Sequence, residues 1–435
     1  MAEKSQKIGL ITTTSLVIGN MIGVGIFLLP AKLAKYGSIS ILGWIFSAIG
    51  ALILAKIFSN LSKMVVNKSG GPYTYARTGF GDFIGFLVAW GYWVCVWVSN
   101  GAIALAIVGA LSFFFPVLNE NPLNSVVAGL SFIWLFMWVN SRGVKESGRV
   151  QVVTTILKIL PLAFVILVGL FFFSFDNFPS FNLSGESNFA VFPVVATAAF
   201  FAFLGVESAT VPAENVENPE VTVPRATMLG TIITTVIYIF GTVVLFGILP
   251  VDVMQNSPAP FAEAGRLIAG DYGGYFVAAG AVISGLGVLN GWTLIVAQIP
   301  LATAKDNLFP PIFKKENKKG APIMGLILGS LLTSLMMLMN LSDGLVDQFN
   351  FITDIAVFTN LVPYLFVSAA YIVILIERKT YINSWVKTLV LGSLGIAFSI
   401  WAIYGSGNDT VFYGFILLIL GFPFYILMRW HKRND

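Results

Sequence analysis

Twelve times along this chain the sequence runs apolar for about the length that a helix needs to cross a bilayer, roughly 20 residues at 1.5 Å each. The runs fall near 9–31, 39–62, 82–114, 124–141, 150–174, 190–211, 226–249, 272–304, 322–339, 346–376, 384–404 and 411–429 of the 435 residues. Hydrophobic residues make up 57% of the chain and charged ones only 11%, where a soluble domain carries about 25% charge. A surface this poor in charge cannot stay wet, so lipid is the solvent. Inside lipid each backbone N–H and C=O needs a partner within the protein. The expected fold is therefore an all-α membrane protein of about twelve transmembrane helices in a single domain over 1–435. The runs at 82–114, 272–304 and 346–376 exceed a perpendicular crossing, which predicts tilt or extension beyond the bilayer.

The basic residues give the orientation. With the N-terminus inside, 20 of the 25 Lys and Arg fall in cytoplasmic segments, against three (Lys32, Lys35 and Arg266) on the other side, with Lys56 and Lys158 inside spans. That asymmetry predicts a multi-pass membrane protein with both termini cytoplasmic. Lys56 is expected to snorkel to the cytoplasmic face. Lys4 and Lys7 before an apolar stretch resemble the start of a signal peptide, but the eleven runs that follow favour a retained first helix. The net charge of +4 and the basic run Lys314–Lys319 are orientation signals; no nucleic-acid partner is expected. Cys95 is the one cysteine and His431 the one histidine. No disulfide within the chain, no metal or other cofactor, and no Ser–His or Cys–His pair is expected, so an enzyme or receptor is the weakest class of function.

Two spans carry an internal flaw in matching places. The first contains Gly19-Asn20-Met21-Ile22-Gly23-Val24-Gly25-Ile26-Phe27 and then Pro30, with three glycines in seven residues. The sixth contains Phe201-Ala202-Phe203-Leu204-Gly205-Val206-Glu207-Ser208-Ala209. Glycine weakens a helix by about 1 kcal/mol, although membrane helices also use it for close packing. Unwound backbone survives at membrane depth only where it is buried or lines a cavity. Breaks at the starts of two successive five-helix sets point to an inverted-repeat transporter and to its site. A half-helix N-terminus favours a carboxylate, and an opposed C-terminus offers carbonyls to an ammonium. An amino-acid zwitterion fits both.

Charged groups inside spans are functional candidates by default. Lys158, in span 5, is open to two roles: a group that takes and loses a proton within a cycle, or a fixed ammonium bracing helix 1. Glu207 is placed to carry a coupling proton, to neutralise a cationic substrate, or to satisfy backbone groups freed by the break. Asp354 lies ten residues before Tyr364, either near the pocket or in the external vestibule. Tyr92, Val96 and Asn100 share one helix face by their spacing of four. The acidic stretch 214–220 is expected to cap a short helix or make a gate contact.

The first-helix segment Gly19–Pro30 resembles the signature of the amino acid–polyamine–organocation superfamily. Within it the chain resembles the bacterial basic amino acid/polyamine antiporters, to which arginine/agmatine and putrescine/ornithine exchangers belong. Ser69-Gly70-Gly71-Pro72-Tyr73-Thr74-Tyr75-Ala76-Arg77, Gly205-Val206-Glu207-Ser208-Ala209, Glu217-Asn218-Pro219, Asn290-Gly291-Trp292 and Leu361-Val362-Pro363-Tyr364 match in order and spacing along nearly the whole chain. The resemblance implies a five-plus-five inverted repeat (8–175 and 190–376) with helices 1 and 6 unwound at the midplane, plus two C-terminal helices in 384–429. It implies that the amides of Val24 and Gly25 hold a substrate carboxylate and that the carbonyls of Met21, Phe201 and Leu204 hold its ammonium. Tyr92, Asn100 and Trp292 would line the side-chain pocket, and Phe201, Trp292 and Tyr364 would be aromatic gates. Glu207 and Tyr73 match positions tied to proton coupling or gating, and other amino-acid transporters of the superfamily place a lysine near Lys158, in lieu of a sodium ion. The arginine/agmatine exchangers have Ser at Val24, Trp at Phe201 and an apolar residue at Lys158; these three departures count against arginine and leave the exact substrate open among arginine, lysine, ornithine, a polyamine and a neutral amino acid.

The expected function is secondary transport of an amino acid or amine. The first form is exchange of a cationic amino acid for its decarboxylated amine or another amino acid; the alternative is proton-coupled symport using Lys158, Glu207 or both. The lipid bilayer is the other expected partner, and a homodimer is left open.

Overall fold

The computed structural model describes residues 8–23, 25–65, 70–142, 147–210, 216–339, 344–378 and 385–434. Val24, Ser69, Glu214 and Asn215 lie outside the described residues, as do Lys4, Lys7, Lys68, Lys145 and Lys379.

In the first half, helices run α1 (Leu10–Met21), α2 (Gly25–Ala34), α3 (Ile39–Met64), α4 (Pro72–Phe80), α5 (Asp82–Ser112), α6 (Val117–Glu120), α7 (Pro122–Ser141) and α8 (Ser147–Gly169). The second half has α9 (Asn188–Phe200), α10 (Pro219–Ile248), α11 (Val251–Asn256), α12 (Pro260–Lys305), α13 (Ile323–Met339) and α14 (Leu345–Arg378). The last three are α15 (Trp385–Gly405), α16 (Asn408–Ile419) and α17 (Phe422–Asn434). Among the described residues, eleven spans are long and apolar enough to cross a membrane, with α1–α2 and α16–α17 each counting as one, and α13 is a shorter apolar helix. The chain is an all-α, multi-pass membrane protein, as the run lengths predicted. All twelve predicted runs are helical.

The helices overrun the apolar runs where local chemistry starts them early. Pro72, Pro122, Pro219 and Pro260 each occupy a first helical turn, where a missing N–H costs nothing. α10 thus begins seven residues before the predicted run. α12 covers 46 residues, but Ala269 and Gly270 (φ +63°) leave helical geometry and divide it. α5 at 31 residues rises about 46 Å, well past the roughly 30 Å of hydrocarbon. The short α4, α6 and α11 lie between the apolar runs.

α5 is the axis of the molecule, packed along α12, α14 and α4, with α7 and α13 behind it. Polarity sorts opposite to a soluble protein. Lys158, Glu207, Gln348 and Asn360 are wholly buried. Phe171, Phe189, Met339 and Phe412 point outward, each more than 60% exposed. Lys56 lies exposed on α3, as snorkelling requires. The acidic stretch meets the N-terminal segment: Glu217 N donates to Ile8 O at 2.9 Å.

Close approach of backbones sets the small residues. A Cβ on Gly43 of α3 would sit 3.0 Å from the Val195 carbonyl carbon and 3.1 Å from Ala196 N on α9. Gly43→Leu is therefore expected to push α3 off α9 and destabilise the protein by about 1–3 kcal/mol, read as a lower thermal-unfolding midpoint in detergent. Leu42→Ala, one position round on the 45% exposed lipid side, should stay within about 0.5 kcal/mol.

Candidate functional site

The first break lies halfway along the first span. The helix ends at Met21, and Ile22 turns away at φ −74°, ψ 77°, with Gly23 N donating to Met21 O at 2.7 Å. This is an inverse γ-turn. The helix resumes at Gly25 as α2, whose first amides have no helical carbonyl to meet. The carbonyls released by α1 are claimed by three other helices. Lys158 Nζ, wholly buried on α8, donates to Gly19 O at 2.8 Å and Ile22 O at 3.0 Å. Ser284 on α12 also reaches Ile22 O, at 3.3 Å. Tyr238 on α10 donates toward Met21 O at 2.5 Å. Lys158 thus sits where a half-helix C-terminus concentrates negative potential, in the bracing geometry that was one of its two expected roles.

The second break faces the first. After α9 the chain tightens into a 3-10 turn at Phe201–Phe203, extends at Leu204 (ψ 136°) and reverses at Gly205 with φ +98°, a conformation open chiefly to glycine. A Cβ there would also stand 3.3 Å from Asn20 Cβ, so the two breaks are in contact. The Tyr238 hydroxyl bridges them, 2.5 Å from Met21 O and 3.0 Å from Ala202 O. Phe201 lies against the start of α2: its ring is 3.0 Å from where a Cβ on Gly25 would be. Behind it, Phe349 of α14 meets Phe201 edge to face at 5.9 Å. Phe201 therefore lies over the start of α2.

Glu207 closes the second break and is entirely buried. Its Oε2 accepts a short hydrogen bond from Tyr364 on α14, and the Tyr92 phenol of α5 is turned on the same carboxylate. Its Oε1 has no partner. Asn100 Oδ1 and Trp292 Nε1 are likewise buried and unpartnered. Buried polar atoms are nearly always paired, and these three lie on α5, α12 and the second break. Tyr92, Asn100, Phe201, Trp292 and Tyr364 are each at most 8% exposed.

The Met21 carbonyl already accepts from Gly23 N and Tyr238, so an ammonium reaching it displaces one of them. Phe201 O carries one bond, from Leu204 N at 3.2 Å, and keeps a lone pair. Asp354 and Tyr73 stand away from the breaks. Asp354 forms an ion pair with Lys32 of α2 at 2.5 Å. Tyr73 donates to Asp306 Oδ2 at 2.7 Å, and Arg77 Nη1 meets the same oxygen at 2.6 Å. Burial first, then the Asp306 carboxylate, push the Tyr73 phenol well above its ordinary range, so it remains a donor at all physiological pH. This cluster ties α4 to the C-terminal end of α12.

Tyr238, Ser284 and Asp306 went unrecognised in the sequence. Tyr238 alone left a readable trace, since a phenol in the run Val236-Ile237-Tyr238-Ile239-Phe240 must find an internal acceptor in lipid.

Helices broken at facing points around buried, unpaired polar atoms define a broken-helix membrane transporter. The comparisons narrow the class. Residues 8–425 match the family described as amino acid permease. The chain is 35% identical over 426 residues to a putrescine transporter, PotE, of Haemophilus influenzae, covering 98% of both chains. It is 33% identical to an arginine/agmatine antiporter of Chlamydia pneumoniae (99% of this chain, 92% of the relative). It is 34% identical to a cadaverine/lysine antiporter of Escherichia coli (100% and 97%). The chain belongs to the amino acid permease family.

Tyr238→Phe removes the one hydroxyl shared by both breaks and leaves a buried carbonyl unpaired, which costs about 1–3 kcal/mol. The expected outcome is a lower midpoint of thermal unfolding in detergent, with Tyr425→Phe on the periphery unchanged.

Proposed function

We propose that the protein is a secondary transporter that exchanges a cationic amino acid for its decarboxylated amine, or for another amino acid, by alternating access. It works in a bacterial inner membrane with both termini cytoplasmic, as a five-plus-five inverted repeat over 8–175 and 190–376 with two further helices. The observation that carries this is Glu207: a buried carboxylate at the second break, held on one oxygen by Tyr364 and open on the other. A carboxylate oxygen in low dielectric without a cation is costly, and an alkylammonium supplies the missing charge. The amide of Gly25 at the head of α2 suits a substrate carboxylate, while an amine lacking that group still satisfies Glu207. One site thereby accepts both members of an exchange pair. The family and the names of its relatives, which transport putrescine or exchange arginine and lysine for their amines, support the same pairing.

Proteoliposomes loaded with putrescine should take up labelled lysine or ornithine, and empty vesicles should not. Equal uptake into empty vesicles under a proton gradient would defeat exchange. Glu207→Gln keeps the shape and loses the charge; a hydrogen bond to a charged group is worth about 1.5–3 kcal/mol, so amine affinity should fall by roughly tenfold or more.

One observation favours the second reading, proton-coupled symport. Lys158 is wholly buried, holds only neutral carbonyls, and among the described residues has no carboxylate partner. Under symport, Lys158→Ala abolishes proton-driven uptake. Under exchange, it lowers stability while a pH gradient has no effect in either protein.

A further inference from the structure

Far from the breaks, the far end of α2 is fastened to α14 by a single side chain. Lys32 is only 5% exposed, yet its ammonium is fully furnished with acceptors. Nζ donates to Asp354 Oδ1 at 2.5 Å, to Thr353 Oγ1 at 3.2 Å and to Asn350 O at 3.2 Å. Thr353 is held in place by donating its own proton to Asn350 O at 2.8 Å. Asn350 Oδ1 beside them is buried and unpartnered. Three oxygens fixed on one turn of helix around a primary ammonium form a receptor for an alkylammonium, and its present occupant is the chain's own lysine.

Two asymmetries make this more than a structural ion pair. Asp354 is 31% exposed while Lys32 is 5% exposed, so the carboxylate can be reached from outside the protein whereas Lys32 comes to it from within. The turn that bears the receptor also follows Phe349, whose ring packs on Phe201 over Gly25. α2 cannot move away from α14 to bare those amides while Lys32 is held. Tyr36 faces the Asp354 carboxylate and Lys35 lies within electrostatic reach of Lys32; Lys35 itself rests on the Tyr36 ring at 5.2 Å.

We propose that the cage of Asp354, Thr353 and Asn350 is an entry site for the ammonium of an incoming substrate, on the face opposite the basic loops. Binding there displaces Lys32 and unlatches α2 from α14. This rests on the substrate being cationic, as argued under the proposed function.

The discriminating property is the sign of two single substitutions. If the pair is only a brace, Lys32→Ala and Asp354→Asn break the same bond and shift transport the same way. If the cage is a receptor with a tethered competitor, they act oppositely. Lys32→Ala vacates it and should lower the KM for external putrescine several-fold. Asp354→Asn removes its charge and should raise that KM about tenfold. The double variant Lys32→Ala/Asp354→Asn, which leaves no unpaired buried ammonium, should follow Asp354→Asn. Initial rates of putrescine exchange in oriented proteoliposomes read all four proteins, with size-exclusion profiles showing each to be folded. Shifts of like sign, or none, would overturn the entry site while the wild type's exchange upholds the proposed function. A wild type that exchanges no amine would overturn both.

Discussion

The structure turns on backbone carbonyls that a helix has let go of where no water can satisfy them. At Met21–Gly23 the first span abandons its ladder, and each freed oxygen must be met from another helix or lose several kcal/mol. Lys158 on α8, Ser284 on α12 and Tyr238 on α10 do this. Three spans distant in sequence are thus bound to one interrupted turn. The break costs stability locally and draws the bundle together around itself.

From that constraint the site follows. Phe201, at the start of the second break, lies against the head of α2. There Gly205, in the left-handed region, turns the chain so that Glu207 projects inward to Tyr364 and Tyr92. A donor end and an acceptor end, each made mostly of backbone, suit a small solute with charges of both signs. Under the proposed function backbone supplies much of the recognition, so relatives naming different amines can share one frame, with selectivity left to side chains such as Asn100 and Trp292.

Two polar fastenings lie outside this centre. Lys32–Asp354 joins α2 to α14, and Tyr73, Arg77 and Asp306 join α4 to the end of α12. Each connects a segment flanking a broken or gating element to a long helix of the surrounding frame.

Much of this was legible in the sequence, because lipid makes composition decisive: run length forces helices, and glycine clusters within runs betray where they break. Glu207, Lys158 and the aromatic residues could be picked out because a charge or a hydroxyl in an apolar run has few innocent explanations. Partnership was another matter. Nothing in the order of residues says that Lys158 meets Gly19 and Ile22 rather than a carboxylate, that Met21 O is already taken, or that Asp354 belongs to Lys32, 322 positions away. Periodicity fixes which residues share a face of one helix. Only the packing of helices against each other decides which faces meet, and so which open valences are closed and which are left for a substrate.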